Sequence, residues 1–77
     1  MFEKVKEILV EELQLKESDI TLDSELVNDL GINSLELADL VMICEEKFDI
    51  EIRDDDIRDF ITVKDLISYI EKKVKNK

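Results

Sequence analysis

The sequence predicts an all-α fold, a small helical bundle, and three observations predict it. Apolar residues recur at helical spacing in three segments. Capping signals stand at the head of two of them. With one glycine, no proline and few aromatic residues, the chain carries no hairpin signal, repeat or low-complexity tract. Its 77 residues give room for one domain, 1–77, and 44% apolar residues are enough for one core.

The first helix is expected over Phe2 to Leu15. Phe2, Val5, Ile8, Leu9 and Leu13 share one arc, and Glu3, Lys4, Glu7 and Glu11 lie opposite. A long polar connection follows from Lys16 to Asn33, with apolar anchors at Ile20, Leu22, Leu26, Val27, Leu30 and Ile32 that should pack it on the core. A loop of that length in a compact domain is often functional. The second helix should begin at Ser34 and run to Phe48. Asn33 is a good N-cap and Glu36 stands three residues on, so a capping box is expected. Asp49 to Arg53 reads as a turn anchored by Ile50 and Ile52, and a short helical turn is expected over Asp54 to Asp59. Thr62 with Asp65 forms a second capping box. The last helix carries Val63, Leu66, Ile67, Ile70 and Val74 inward and ends in a cationic tail.

Composition excludes several functions. Asp plus Glu number 21 against 11 Lys plus Arg, a formal net charge of −10. Such a surface repels phosphate backbones, so no nucleic-acid partner is expected, whereas basic proteins are steered toward it. With no histidine, Ser-His and Cys-His nucleophile pairs are impossible. Gly31 is the only glycine, so there is no glycine-rich phosphate loop. Nor has a small bundle a deep pocket to shift carboxylate pKa values, and no catalytic residue is expected. Asp54-Asp55-Asp56 lacks the alternating ligands, glycine and closing glutamate of a calcium loop, so no dedicated metal site is expected. The lone Cys44 precludes an internal disulfide and falls on the core arc, where a buried structural thiol is the expectation. Neither a signal-peptide pattern at Met1 nor an apolar run of about 20 residues is present, which points to a cytoplasmic protein without membrane insertion.

The second helix has two contrasting faces. Leu37, Leu40, Val41, Cys44 and Phe48 fall within an arc of about 100° on the core side. Leu35, Ala38 and Met42 follow one another on the side of Ser34, interleaved with Glu36, Asp39, Glu45, Glu46 and Asp49. An outward apolar strip bordered by acids reads as a surface for docking a protein. Serine is common at helix starts, but a phosphate attached to Ser34 would meet free backbone N–H groups and the positive end of the helix dipole.

On Asp29-Leu30-Gly31-Ile32-Asn33-Ser34-Leu35-Glu36, Leu40-Val41-Met42 and Glu45-Glu46-Lys47-Phe48, the chain resembles the acyl carrier proteins of type II fatty acid synthesis. The resemblance continues through Ile50-Glu51-Ile52, Asp54-Asp55-Asp56 and the run from Thr62 to Ile70, in the family's order. It implies a four-helix bundle with a long first loop and a short third helix. It implies further that Ser34 receives 4′-phosphopantetheine from coenzyme A through a separate holo-synthase (phosphopantetheinyl transferase). The arm's thiol would carry acyl groups as thioesters, and the growing chain would fold back between the second helix and its neighbours. Leu35, Ala38 and Met42, with Glu36, Asp39, Glu45 and Glu46, match the face that the family presents to basic patches on fatty acid synthesis enzymes. The implied protein is a monomer. One departure stands out: the family usually has aspartate before the modified serine, and this chain has Asn33. That implies slower modification by the usual holo-synthase, or a specialised carrier of a related acyl pathway. The reading from a different class is an unmodified acidic helical adaptor that binds basic partners.

Overall fold

The computed structural model describes residues 1–75 and holds four α-helices: α1 (Phe2–Leu13), α2 (Ser34–Phe48), α3 (Asp54–Ile57) and α4 (Val63–Lys75). A short 3-10 turn, Glu17–Asp19, lies in the connection between α1 and α2. Asn76 and Lys77, the end of the expected cationic tail, lie outside the described residues.

The core forms where the apolar stripes of three helices meet. It takes Val5, Ile8 and Leu9 from α1, Leu40, Val41 and Cys44 from α2, and Val63, Leu66, Ile67 and Ile70 from α4. Ile20, Leu26, Leu30 and Ile32 close one side from the long connection, and Ile52 and Phe60 enter from either side of α3. Each is 9% exposed or less, so the connection contributes to the core as the helices do.

Four expectations need correction. The first helix stops at Leu13, not Leu15: Gln14 turns left-handed at φ 56° and its N–H returns to the Leu9 carbonyl. Leu15 keeps the apolar pattern and remains half-buried although the helix has ended. The third helix spans Asp54–Ile57 rather than reaching Asp59, because Phe60 turns inward to the core. Leu22 and Val27 are 43% and 56% exposed, since the connection anchors itself through their neighbours Ile20 and Leu26. Val74, 40% exposed, sits on the inner stripe of α4 but at the end of the helix, one turn past the last buried residue, Ile70.

The long connection is tied to α4 by backbone hydrogen bonds. Glu25 and Thr62 form an isolated antiparallel bridge, and the Leu26 N–H donates to the Ile61 carbonyl at 2.8 Å. The N–H groups of Val63 and Lys64 donate to the carbonyls of Ser24 and Leu22, each at 3.0 Å. Those are the first two N–H groups of α4, which have no acceptor within their own helix. Asp65 N–H is capped by Thr62 Oγ1 at 3.2 Å and Leu66 N–H by the Thr62 carbonyl at 3.3 Å. The start of α4 is therefore fully satisfied.

Candidate functional site

The approach to Ser34 is a single wound turn. Asp29 and Leu30 N–H both donate to the Glu25 carbonyl, Gly31 N–H to that of Val27 and Ile32 N–H to that of Leu26. Asp29 Oδ2 holds the turn from inside by accepting the Glu25 N–H at 2.8 Å. Gly31 leaves it at φ +69°, a left-handed conformation. A Cβ there would meet nothing within 4 Å, so the demand for glycine is one of backbone conformation alone. Buried Ile32 then pins the chain, and Asn33 starts α2.

The expected capping box is present. Asn33 Oδ1 accepts the Glu36 N–H at 2.8 Å, and Glu36 Oε1 accepts the Asn33 N–H at 3.2 Å. The Asn33 carbonyl takes the Leu37 N–H at 2.9 Å. The N–H groups of Ser34 and Leu35 find no acceptor among the described residues. Here α2 differs from α4, whose corresponding groups are covered by the long connection. Ser34 is exposed at the first position of α2, beside two open N–H groups and the positive end of the helix dipole. The donor set fits a phosphodiester carried on the serine oxygen.

The outward face of α2 divides on inspection. Leu35 is 79% exposed and Met42 58% exposed, with Ala38, Asp39 and Glu46 exposed beside them. These residues form a continuous strip. Glu36 and Glu45 are half-buried and engaged within the fold. Glu36 is held in the capping box, and Glu45 Oε2 accepts the Ile52 N–H at 3.0 Å, fastening the segment that leads into α3. The residues expected on this face are thus brought together, but two of its acids, Glu36 and Glu45, also hold backbone. The capping box gave the role of Glu36 from the sequence, but patterning could not separate Glu45 from the free acids, because an acid at the right helical angle looks the same in both roles.

Two grooves border α3. One, of about 510 Å³, is lined by Val27, Leu37, Ile57, Arg58, Phe60 and Ile61 among others. Its size falls in the range of ligand clefts. Leu37 lies three residues along α2 from Ser34, roughly 4.5 Å of helix rise. Exposed Val27 and Ile61 on its rim are apolar residues whose role periodicity alone does not reveal. The other groove is lined by Asp49, Ile50, Glu51, Asp56, Tyr69, Lys72 and Lys73 and contains no residue of the Ser34 turn.

Cys44 is completely buried in the core, and burial pushes its thiol pKa up to about 12. It is no nucleophile at neutral pH. Among the described residues no group of three or more His, Cys, Asp or Glu is arranged to hold a metal ion, Asp54 to Asp56 included. No described helix is long and apolar enough to cross a membrane.

Comparison with known proteins identifies the family. The profile of the family described as phosphopantetheine attachment site matches residues 3–70. An acyl carrier protein of Campylobacter hominis is 43% identical over 77 residues, covering 100% of this chain and 98% of the relative. One of Thermotoga maritima is 46% identical over 74 residues, covering 96% of this chain and 91% of the relative. The crystal structure of an acyl carrier protein from Thermotoga maritima superposes with a TM-score of 0.84 at 32% identity, over 95% of this chain and 85% of that one.

Proposed function

Since the chain belongs to the acyl carrier protein family, we propose that Ser34 is the residue to which its phosphopantetheine arm is attached. The protein is a carrier rather than a catalyst and serves the enzymes of fatty acid synthesis. When bound, the arm supplies the thiol on which acyl groups travel as thioesters; buried Cys44 cannot do so. The observation that carries the assignment is the position of Ser34, exposed at the start of α2 with two unclaimed N–H groups beside it.

The chain's own residues have distinct parts. Ser34 and Leu35 N–H groups and the α2 dipole would hold the arm's phosphate, and the Asn33–Glu36 box keeps that helix end wound. The groove between Leu37, Ile57 and Phe60 receives the acyl chain folding back from Ser34. Leu35, Ala38, Asp39, Met42 and Glu46 meet basic patches on partner enzymes, the holo-synthase among them. The carboxylates of Asp39 and Glu46 form no ion pair or hydrogen bond with another described residue, so both are available to a partner's cations. The protein works as a cytoplasmic monomer, one domain over 1–77. Asn33, where the family usually has aspartate, favours a second reading as a specialised carrier of a related acyl pathway.

Intact mass spectrometry tests the assignment. With a holo-synthase and coenzyme A, the wild type should gain one phosphopantetheine mass and Ser34→Ala none. A gain by Ser34→Ala would place the arm on another hydroxyl. No gain by the wild type with several holo-synthases would favour the unmodified adaptor.

A further inference from the structure

The hydrogen bond between side chains farthest apart in sequence, among the described residues, joins Tyr69 to Asp56: the Tyr69 hydroxyl donates to Asp56 Oδ2 at 2.7 Å. Tyr69 lies on α4 and Asp56 on α3. A helix of four residues is far too short to persist by its own backbone bonds. None of the α3 residues is fully buried. Its backbone bonds are local: Asp56 N–H to the Arg53 carbonyl, Asp59 N–H to that of Asp56, Phe60 N–H to that of Ile57. α3 is tied to the bundle by buried Ile52 and its bond to Glu45 ahead of it, by half-buried Ile57, by the Phe60 anchor behind it, and by the Tyr69–Asp56 bond. Tyr69 acts at both ends of the segment, because its ring also meets Phe60 edge-on, centroids 5.1 Å apart at 73°. Ile57 and Phe60 line the groove that Leu37 of α2 also lines, and Asp56 lines the other groove with Tyr69. One side chain on α4 therefore fixes a wall it does not itself line.

We propose that Tyr69 is a positioning residue, whose hydroxyl latches Asp56 and so holds α3 closed over the groove that shelters the acyl chain. The proposal rests on the reading that the chain enters this groove. The latch needs no charge change: the phenol donates and the carboxylate accepts, and a hydrogen bond of this kind contributes enough to change the population of a locally open state several-fold. Tyr69→Phe removes the hydroxyl and keeps the ring on Phe60. Asp56→Ala removes the acceptor, and Asp56→Asn retains an oxygen that can accept.

The test uses the full-length protein in two forms. In the unloaded protein, amide hydrogen exchange at Asp59 and Phe60 is compared with that at Leu9 and Leu40. In the holo-protein loaded with octanoyl or acetyl groups, hydroxylamine attacks the thioester carbonyl and frees the arm's thiol. Each release rate is referred to the same thioester on free pantetheine. Tyr69→Phe and Asp56→Ala should raise exchange at Asp59 and Phe60, and octanoyl release, by roughly two- to tenfold, the factor of one net hydrogen bond. Acetyl release should not change, Asp56→Asn should stay near wild type, and the double variant should be no faster than either single. If wild type protects octanoyl and Tyr69→Phe protects it equally, the latch is rejected while the groove stands. If wild type protects octanoyl no better than acetyl, the groove reading fails and the latch with it. Equal acceleration at Leu9 and Leu40 would mean general loosening, which also rejects the latch.

Discussion

Asn33 and Glu36 cap one another: the Asn33 amide oxygen accepts the Glu36 N–H at 2.8 Å and the Glu36 carboxylate accepts the Asn33 N–H at 3.2 Å. The pair brackets Ser34, so the geometry of the attachment site depends on residues that need not touch the arm. It also makes Glu36 a poor choice for testing electrostatic docking, because any substitution there disturbs the start of α2.

Asn33→Ala should lower stability by about 1 kcal/mol, the usual effect of losing an N-cap, and should slow modification of Ser34. Asn33→Asp keeps the acceptor and adds a charge at the favourable end of the helix dipole, a gain of about 0.3–1 kcal/mol. Urea denaturation of the two variants checks the order. The outcome that contradicts the capping argument is an Asn33→Ala protein as stable as wild type.

Asp39 and Glu46 are the acids of the α2 face that carry no structural bond, so they isolate docking. Single neutralisations at an exposed rim are worth about 0.2–1 kcal/mol and are hard to see. The double reversal Asp39→Lys with Glu46→Lys replaces attraction by repulsion and should sharply slow modification by a holo-synthase. Added salt should narrow the gap. An equal charge change at exposed Glu7 and Glu11 on α1 is the control. Equal effects of the two doubles in initial-rate measurements would leave net charge as the sole cause.

Glu45→Ala should lower stability by about 1–3 kcal/mol, because the Ile52 N–H loses its acceptor beside the core. Glu45→Gln retains an oxygen at that distance and should recover most of the loss. Thermal unfolding of both variants checks this. A Glu45→Gln protein as unstable as Glu45→Ala would mean that the charge, rather than the bond, is what the fold uses.

Cys44 makes the fold sensitive to alkali. Burial raises its pKa from an ordinary 9.0 to about 12, so between those values the folded chain keeps a proton that the unfolded chain has lost. The unfolded state then binds fewer protons, and stability falls as pH rises through that window, at up to about 1.4 kcal/mol per pH unit. Tyr69, raised by burial and by its bond to Asp56, adds a loss of the same sign above about pH 10. Cys44→Val should remove the part beginning near pH 9.0 and leave the tyrosine part. Denaturant midpoints from pH 8 to 11 measure it, and identical curves for variant and wild type would refute the assignment. A thiol reagent should likewise label native Cys44 slowly and the denatured chain fast.

The sequence by itself determined the helical class, the start and end of α2, the two capping boxes, the burial of Cys44 and the exposure of Leu35, Ala38 and Met42. Each of these follows from spacing along one helix, where residues three and four apart must share a face. It also singled out Ser34, by type and place. Only the tertiary structure decided which helix start is open. Asn33–Glu36 and Thr62–Asp65 are nearly equivalent as patterns, yet α4 has its first N–H groups taken by the carbonyls of Ser24 and Leu22, and α2 does not. Those bonds join segments some forty residues apart, and no local rule reads them. For the same reason the sequence could not tell free Asp39 and Glu46 from engaged Glu45, or foresee that Leu22 and Val27 face outward. Whether an acid or a leucine is occupied depends on what packs against it, and that partner comes from elsewhere in the chain.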